Sequence, residues 1–381
     1  MLVGKILFTG RHFLNRETDE RIIEMAEKTN DGAGKKTGRK VLIVICSILL
    51  VLIFLVFIYK IHMHYDIEQH ESFNIEDMKA EGREYSDHSV VYMTKEITPE
   101  AMMKMYKILG VDLPGKVAVK LSTGEAGNPN HLDPMLIADL VKSVDGTIIE
   151  CNTAYSGSKR AETAMHMEVA KEHGFTDIAD VDIMDAEGYM TIPVEGGENL
   201  KENWVGKDLA LYDSVLVLTH FKGHPMGGFG GALKNISIGI ASREGKVRIH
   251  SGGFASKPPI DLPAMITNQD TFTESMAEAA KSVSDYEGKG ERIVYISVMN
   301  RMSVDCDCVS TPAEVDMHDI GILASTDPVA LDQACIDLVF QAEDGANLQN
   351  RILSKNGLHI LRHAQKIGFG NRAYELVDTD K

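Results

Sequence analysis

Apolar residues are distributed along this chain in two ways. From Val41 to Tyr59 they run for 19 residues without a charge (VLIVICSILLVLIFLVFIY). At about 1.5 Å per residue, a helix of that length crosses a hydrocarbon core of roughly 30 Å. Lys60-Ile61-His62-Met63-His64 follows in place of the small residues of a cleavage site, so the pattern predicts an uncleaved transmembrane helix and not a secretory leader. Residues 60–88 are polar and weakly periodic and read as a solvated stalk.

From residue 89 to 378 short apolar runs alternate with stretches of helical period. Thr98-Pro99-Glu100 caps a helix that ends at Gly110, and residues 116–120 read as a strand. Asp133-Pro134 opens the next helix, residues 147–150 form the next strand, and a helix from about Arg160 to His173 stops at Gly174. The most apolar strand, residues 214–219, has the composition expected where both faces are covered. Further strands are predicted over 292–298 and 320–325, the latter followed by a helix with Asp327 as N-cap and Pro328 in its first turn. Such alternation predicts an α/β fold, a mostly parallel sheet flanked by helices, with ligands bound where strand C-termini open into loops.

Charge adds an orientation. The first 40 residues hold 9 Lys and Arg against 6 Asp and Glu, and Lys35, Lys36, Arg39 and Lys40 abut the apolar run. Positive-inside reasoning places this tail in the cytoplasm and residues 89–378 outside it, which makes the expected organisation a tail (1–40), a membrane helix (41–59), a stalk (60–88) and an extracytoplasmic domain. The whole chain carries −17. An acidic domain of this kind repels polyanions, which excludes nucleic acid as a partner. Five cysteines, one of them Cys46 within the apolar run, are too few and too unevenly placed for a disulfide framework.

Four strand ends run into polar loops rich in glycine, histidine or cysteine. The most notable is HFKGHPMGGFGGALKN (220–235). His220, Lys222 and His224 alternate along an extended chain and can face one way as candidate catalytic residues. Gly227, Gly228, Gly230 and Gly231 then lead into a helix bearing Lys234 and Asn235, where backbone N–H groups and an ammonium suit an anion. Asn152, Thr153 and Tyr155 follow the strand at 147–150 and are candidate cofactor contacts. Cys306 and Cys308, within DCDC (305–308), can bind one soft metal ion or the edge of an iron–sulfur cluster, although a disulfide or two ordinary loop thiols would leave the same pattern. His359 and His363 read as surface histidines, and Met102, Met103 and Met105 as packing. The glycine spacing matches neither the dinucleotide fingerprint nor the phosphate loop.

The segments CNTAYSGSKR (151–160), LTHFKGHPMGGFGGALKNISIGIASREGK (218–246) with His250, CDC (306–308), DIGILASTDPVALDQA (319–334) and HAQKIGFGNRAYEL (363–376) resemble the family called domain of unknown function 362, whose members are often described as iron-sulfur-centre proteins. Many members carry a ferredoxin-like insertion with four-cysteine runs, where this chain has GGFASKPPIDLPAMITNQD. That departure counts against an iron–sulfur electron relay and leaves a redox or metal role open for the core.

Two functions are therefore expected to compete. One is a membrane-anchored extracytoplasmic redox enzyme that acts on a small anionic ligand with a transition metal, an iron–sulfur cluster or a flavin. The other is a noncatalytic surface protein that captures a small anion, cofactor or metal and works with a membrane partner protein.

Overall fold

A computed structural model describes residues 41–52, 67–85 and 87–381. The chain divides into two units, Met1–His64 and Tyr65–Lys381. In the first, residues 41–52 are helical with exposed side chains. The remainder of the expected membrane span, 53–59, and the tail 1–40 lie outside the described residues. Among the described residues no helix is long and apolar enough to cross a membrane.

The second unit is built on one eight-stranded sheet with the order β12-β1-β11-β10-β7-β2-β3-β4. Its strands are β1 (Ser89–Thr94), β2 (Val117–Lys120), β3 (Thr147–Glu150), β4 (Val181–Ile183), β7 (Ser214–His220), β10 (Ile293–Met299), β11 (Gly321–Ser325) and β12 (Tyr374–Asp378). The pairs β10·β7, β7·β2, β2·β3, β3·β4 and β1·β12 are parallel, while β11 is antiparallel to both β10 and β1. Seven strands therefore point one way and β11 alone is reversed. Two short hairpins, β5 (Tyr189–Pro193) with β6 (Glu202–Gly206) and β8 (Lys222–His224) with β9 (Gly228–Gly230), stand apart from the sheet.

Side-chain alternation along the central strands builds two cores. Val215, Val217, Ile293 and Tyr295 face a layer formed with the helices Ala232–Ser237, Gln269–Tyr286 and Pro328–Gln341. Leu216, Leu218, Val294 and Ile296 face the opposite layer with the helices Pro99–Ile108 and Pro134–Ser143. A strand buried on both faces needs apolar residues at every position, and β7 and β10 are buried throughout. Capping fixes the helix starts. Thr98 Oγ1 accepts from Ala101 N at 3.1 Å, Asp133 Oδ1 from Met135 N at 2.9 Å and Asp327 Oδ1 from Val329 N at 2.8 Å, each just before a proline that has no N–H to lose.

Residues 67–85, where the pattern suggests a stalk, pack on this unit. The helix Ile75–Ala80 buries Ile75 and Met78, Arg372 Nη1 bonds Glu68 Oε1 at 2.8 Å, and His70 Nε2 lies 2.9 Å from Asp337 Oδ1. Two apolar residues on a short helix suffice for docking, and a pair of that size is below what periodicity detects. His359 and His363 are also buried rather than superficial. Their Nε2 atoms lie 3.0 Å from Glu274 Oε1 and 3.1 Å from Glu278 Oε1, so the spacing of four serves to lock two helices together. Met102 and Met105 are fully buried, as expected of packing residues.

Leu216 sits at the centre of the sheet with no exposed surface. Leu216→Ala should lower stability by about 2–5 kcal/mol, seen as a shifted midpoint with an unchanged slope in urea unfolding.

Candidate functional site

The strands β2, β3, β7 and β10 are parallel neighbours, so their C-termini at Lys120, Glu150, His220 and Met299 share one edge of the sheet. The polar loops that follow them enclose a cavity of about 560 Å³. His220, Lys222, His224, Lys234, Asn235, Thr153, Tyr155, Gly230, Gly231, Cys306 and Cys308 all line it. Asn152, Gly227 and Gly228 are close by in sequence but do not.

Three buried carboxylates tie the loops together. Glu150 Oε2 lies 3.0 Å from Lys120 Nζ, and Glu150 Oε1 lies 3.2 Å from Arg160 Nη1 and accepts from Thr123 N at 2.9 Å. Burial alone would raise the Glu150 carboxyl, but Lys120, Arg160 and His166 outweigh it and hold the group down at about 2. Glu125 accepts from the Tyr155 hydroxyl at 2.8 Å, the Ser158 hydroxyl at 2.6 Å and Lys159 N at 3.0 Å. Asp307 sits between His220 Nδ1 at 2.9 Å and Lys222 Nζ at 2.7 Å, while its carbonyl accepts from Glu125 N at 2.7 Å.

His220 is held from both sides of its ring. Its Nε2 faces the Asn300 carbonyl at 2.6 Å and its Nδ1 faces Asp307, so both nitrogens are engaged inside the protein and the ring holds the β7 and β10 loops together. His224 is placed otherwise. Met226 N and Gly227 N donate to its Nδ1 at 3.2 and 2.9 Å, which leaves Nε2 to carry the ring proton.

His224 belongs to a sulfur-rich corner. One ligand atom from each of His224, Cys306 and Cys308 lies within 4.8 Å of the others, with Cys306 and His224 buried. Lys234 Nζ is 3.7 Å from Cys306 Sγ. The Cys308 thiol hydrogen-bonds Cys306, and with Lys234 and His224 it overcomes burial to hold the Cys306 thiol well below its ordinary range. The same contact, together with burial, pushes Cys308 well above it. Soft donors at this separation suit one thiophilic ion. They do not suit a four-thiolate cluster, because Cys151 donates its thiol to the Ile240 carbonyl at 3.3 Å and Cys335 lies buried in the helix Pro328–Gln341.

The glycine-rich segment works differently from an open helix terminus. Lys222–His224 and Gly228–Gly230 pair as the hairpin β8·β9, and the first amides of the helix Ala232–Ser237 are already taken. Asp332 Oδ1 accepts from Ala232 N at 2.7 Å and Asp332 Oδ2 from Leu233 N at 3.0 Å. A Cβ on Gly231 would stand 2.3 Å from that carboxylate, so glycine is required for the approach. The cap supplied by Asp332 sets the helix that presents Lys234, and Asn235 Nδ2 fastens it to Thr219 Oγ1 at 3.0 Å. The helix amides are thus spent on protein, and the positive groups that the cavity presents are side chains.

Residues 117–337, more than half of the chain, match the family described as Domain of unknown function (DUF362). The chain belongs to this family. No curated protein matches it. Among solved structures it is similar to the lactate racemase apoprotein from Thermoanaerobacterium thermosaccharolyticum, with 14% identity, a TM-score of 0.33, 55% of this chain covered and 50% of that one. It is also similar to a protein from Thermotoga maritima, with 14% identity, a TM-score of 0.37, 66% of this chain covered and 60% of that one. The chain spans between half and three-fifths of the length of these structures.

The family match includes site residues that loop motifs alone do not reveal. Lys120, Glu125, Glu150, Arg160 and Lys246 line the cavity, and all five are buried. Lys120 and Glu150 carry a readable signal, since a charge closing an apolar strand is expensive unless a partner meets it. Lys246 lies in a helix whose sequence resembles an ordinary charged surface. Asn152 is a supporting residue, donating from Nδ2 to Thr163 Oγ1 at 2.9 Å.

Glu150→Gln should leave Lys120 and Arg160 buried without their shared carboxylate and cost roughly 3–5 kcal/mol at neutral pH. Because the folded carboxyl is held below its ordinary value of 4.5, the stability it contributes is complete above that pH and lost as pH falls toward about 2. Unfolding curves of wild type and variant should therefore converge on acidification through this window.

Proposed function

We propose that the cavity binds a small anionic ligand beside a soft metal ion carried by Cys306, Cys308 and His224, and that the protein is a membrane-anchored extracytoplasmic redox enzyme acting on that ligand. The observation that carries this reading is the placement of three soft donors within 4.8 Å in the wall of a cavity lined by Lys120, Lys159, Arg160, Lys222, Lys234 and Lys246 against only Glu125 and Glu150. A chain of net charge −17 that concentrates cations around one cavity has built a local field for an anion. Lys234, beside Cys306, joins the two functions at a single point. Capture of the ion would release the thiol proton of Cys308, so affinity should rise with pH.

A noncatalytic surface protein that works with a membrane partner is the second reading. It is favoured by the engagement of both His220 nitrogens, which removes one proton carrier from the cavity. Substrate conversion by the metal-loaded chain separates the two.

The full-length chain, purified anaerobically in detergent, should hold close to one transition-metal ion. Cys306→Ala or Cys308→Ala should weaken retention by more than the roughly 10–100-fold that loss of an outer-shell partner costs. A protein that carries neither metal nor flavin and takes up no zinc, iron or nickel when incubated with them would end the metal reading.

Anchorage rests on the uncharged run 41–59 and the basic residues before it. In right-side-out cells, added protease should digest residues beyond 60 and leave an N-terminal epitope intact. Protection of the whole chain would refute this orientation.

A further inference from the structure

The cations of the cavity fall into two groups. Lys120 and Arg160 share Glu150, Arg160 Nε lies 3.6 Å from Glu125, and Lys222 is matched by Asp307. Lys159 is exposed at the rim. Lys234 and Lys246 are different. Lys246 is buried, and its ammonium donates to two carbonyls, Ala241 O at 2.6 Å and Cys151 O at 3.4 Å, with no carboxylate at ion-pair distance among the described residues. Lys234 touches only the sulfur of Cys306.

Carbonyl oxygens satisfy the N–H donors of an ammonium but leave its charge uncompensated, and a buried charge without a counter-charge is costly. The proposed metal adds to this imbalance. A divalent ion on two thiolates makes the sulfur corner formally neutral, which removes the one negative group beside Lys234. Two positive charges then face the cavity with no carboxylate at ion-pair distance among the described residues, Asp185 acting on Lys246 and Asp307 on Lys234 only from farther away.

His250 completes the arrangement. It lies one turn beyond Lys246 on the helix Arg243–His250, it also lines the cavity, and its Nδ1 donates to the Lys246 carbonyl at 2.7 Å. Burial pushes its imidazole down to about 3, so the ring is neutral and its other nitrogen is an acceptor without charge. It stacks on Phe272 at 4.7 Å, which fixes the ring. The wall therefore offers two full positive charges and one neutral acceptor.

We propose that the ligand of this cavity is a compact dianion, a phosphate or a small dicarboxylate, whose two negative charges are matched by Lys234 and Lys246. This rests on the anion-binding part of the function proposed above and specifies its charge class. Monoanions would leave one ammonium uncompensated. Extended polyanions would also meet Glu125 and Glu150, which line the same cavity.

The test is calorimetric titration of the full-length chain in detergent, zinc-loaded, with inorganic phosphate, malonate and acetate. Phosphate or malonate should bind at least about tenfold more tightly than acetate, the discrimination expected from one additional charge-assisted contact. Which of the two binds tells phosphate from dicarboxylate. Lys246→Gln should abolish that preference while metal content stays unchanged, and Lys246→Arg should restore it. Equal affinity for acetate and the dianions, or an unaltered preference in Lys246→Gln, would overturn the proposal. Dianion selectivity in a chain that retains no metal would overturn the assignment of Lys234, which would then still be paired with the Cys306 sulfur. Failure of all three anions to bind would remove the anion-binding part of the proposed function and this proposal with it. The wild-type series decides the matter even if the variants do not fold.

Discussion

Three buried carboxylates hold the cavity together. Asp307 joins the β7 loop to the β10 loop through His220 and Lys222, and its carbonyl receives the Glu125 amide from the β2 loop. Glu125 reaches the β3 loop through Tyr155, Ser158 and Lys159, and Glu150 binds the ends of β2 and β3 through Lys120. Four segments distant in sequence are thereby fixed by charge-assisted hydrogen bonds in a water-poor setting, where such bonds are strong and their loss is severe. The sheet brings the loops to one edge, and these carboxylates turn that edge into an enclosed site.

The cations of the cavity differ in how they are compensated. A protein that needed its lysines only for architecture would pair each with a carboxylate, as Lys120 and Lys222 are paired. Lys234 instead contacts a cysteine, and although burial works against its charge, the Cys306 sulfur raises the pKa of the ammonium. Lys246 contacts carbonyls alone. Cations paired with a carboxylate and cations without one at ion-pair distance thus share one cavity.

Much of the fold was legible in the chain because its signals are local. The caps at Thr98, Asp133 and Asp327, each followed by proline, mark helix starts without reference to anything distant, and the unbroken apolar character of β7 reports burial on both faces. The strand-end loops were legible for the same reason, since parallel neighbours must present their C-termini together. What remained hidden depends on partners far along the chain. The Asp332 cap lies 100 residues from the amide it receives, and without it the glycines before Ala232 read as an open anion site. The pairing of His220 with Asp307 spans 87 residues, and that of His363 with Glu278 spans 85. The docking of residues 67–85 rests on single contacts such as Glu68 with Arg372.

The reversed strand β11 has a bearing on how the soft donors are carried. Parallel neighbours must be linked by a crossover that returns the chain to the opposite edge, so most connections here carry helices that the cores depend on. Because β11 runs against β10, the chain leaves the sheet after Met299 and re-enters at Gly321 on the same side. The intervening stretch, which supplies Asp307 and both thiols, therefore needs no helix to bring the chain back. It is held down instead by the burial of Met302 and Met317 and by the bonds of Asp307, so the soft donors sit on a loop anchored at both ends and at its middle.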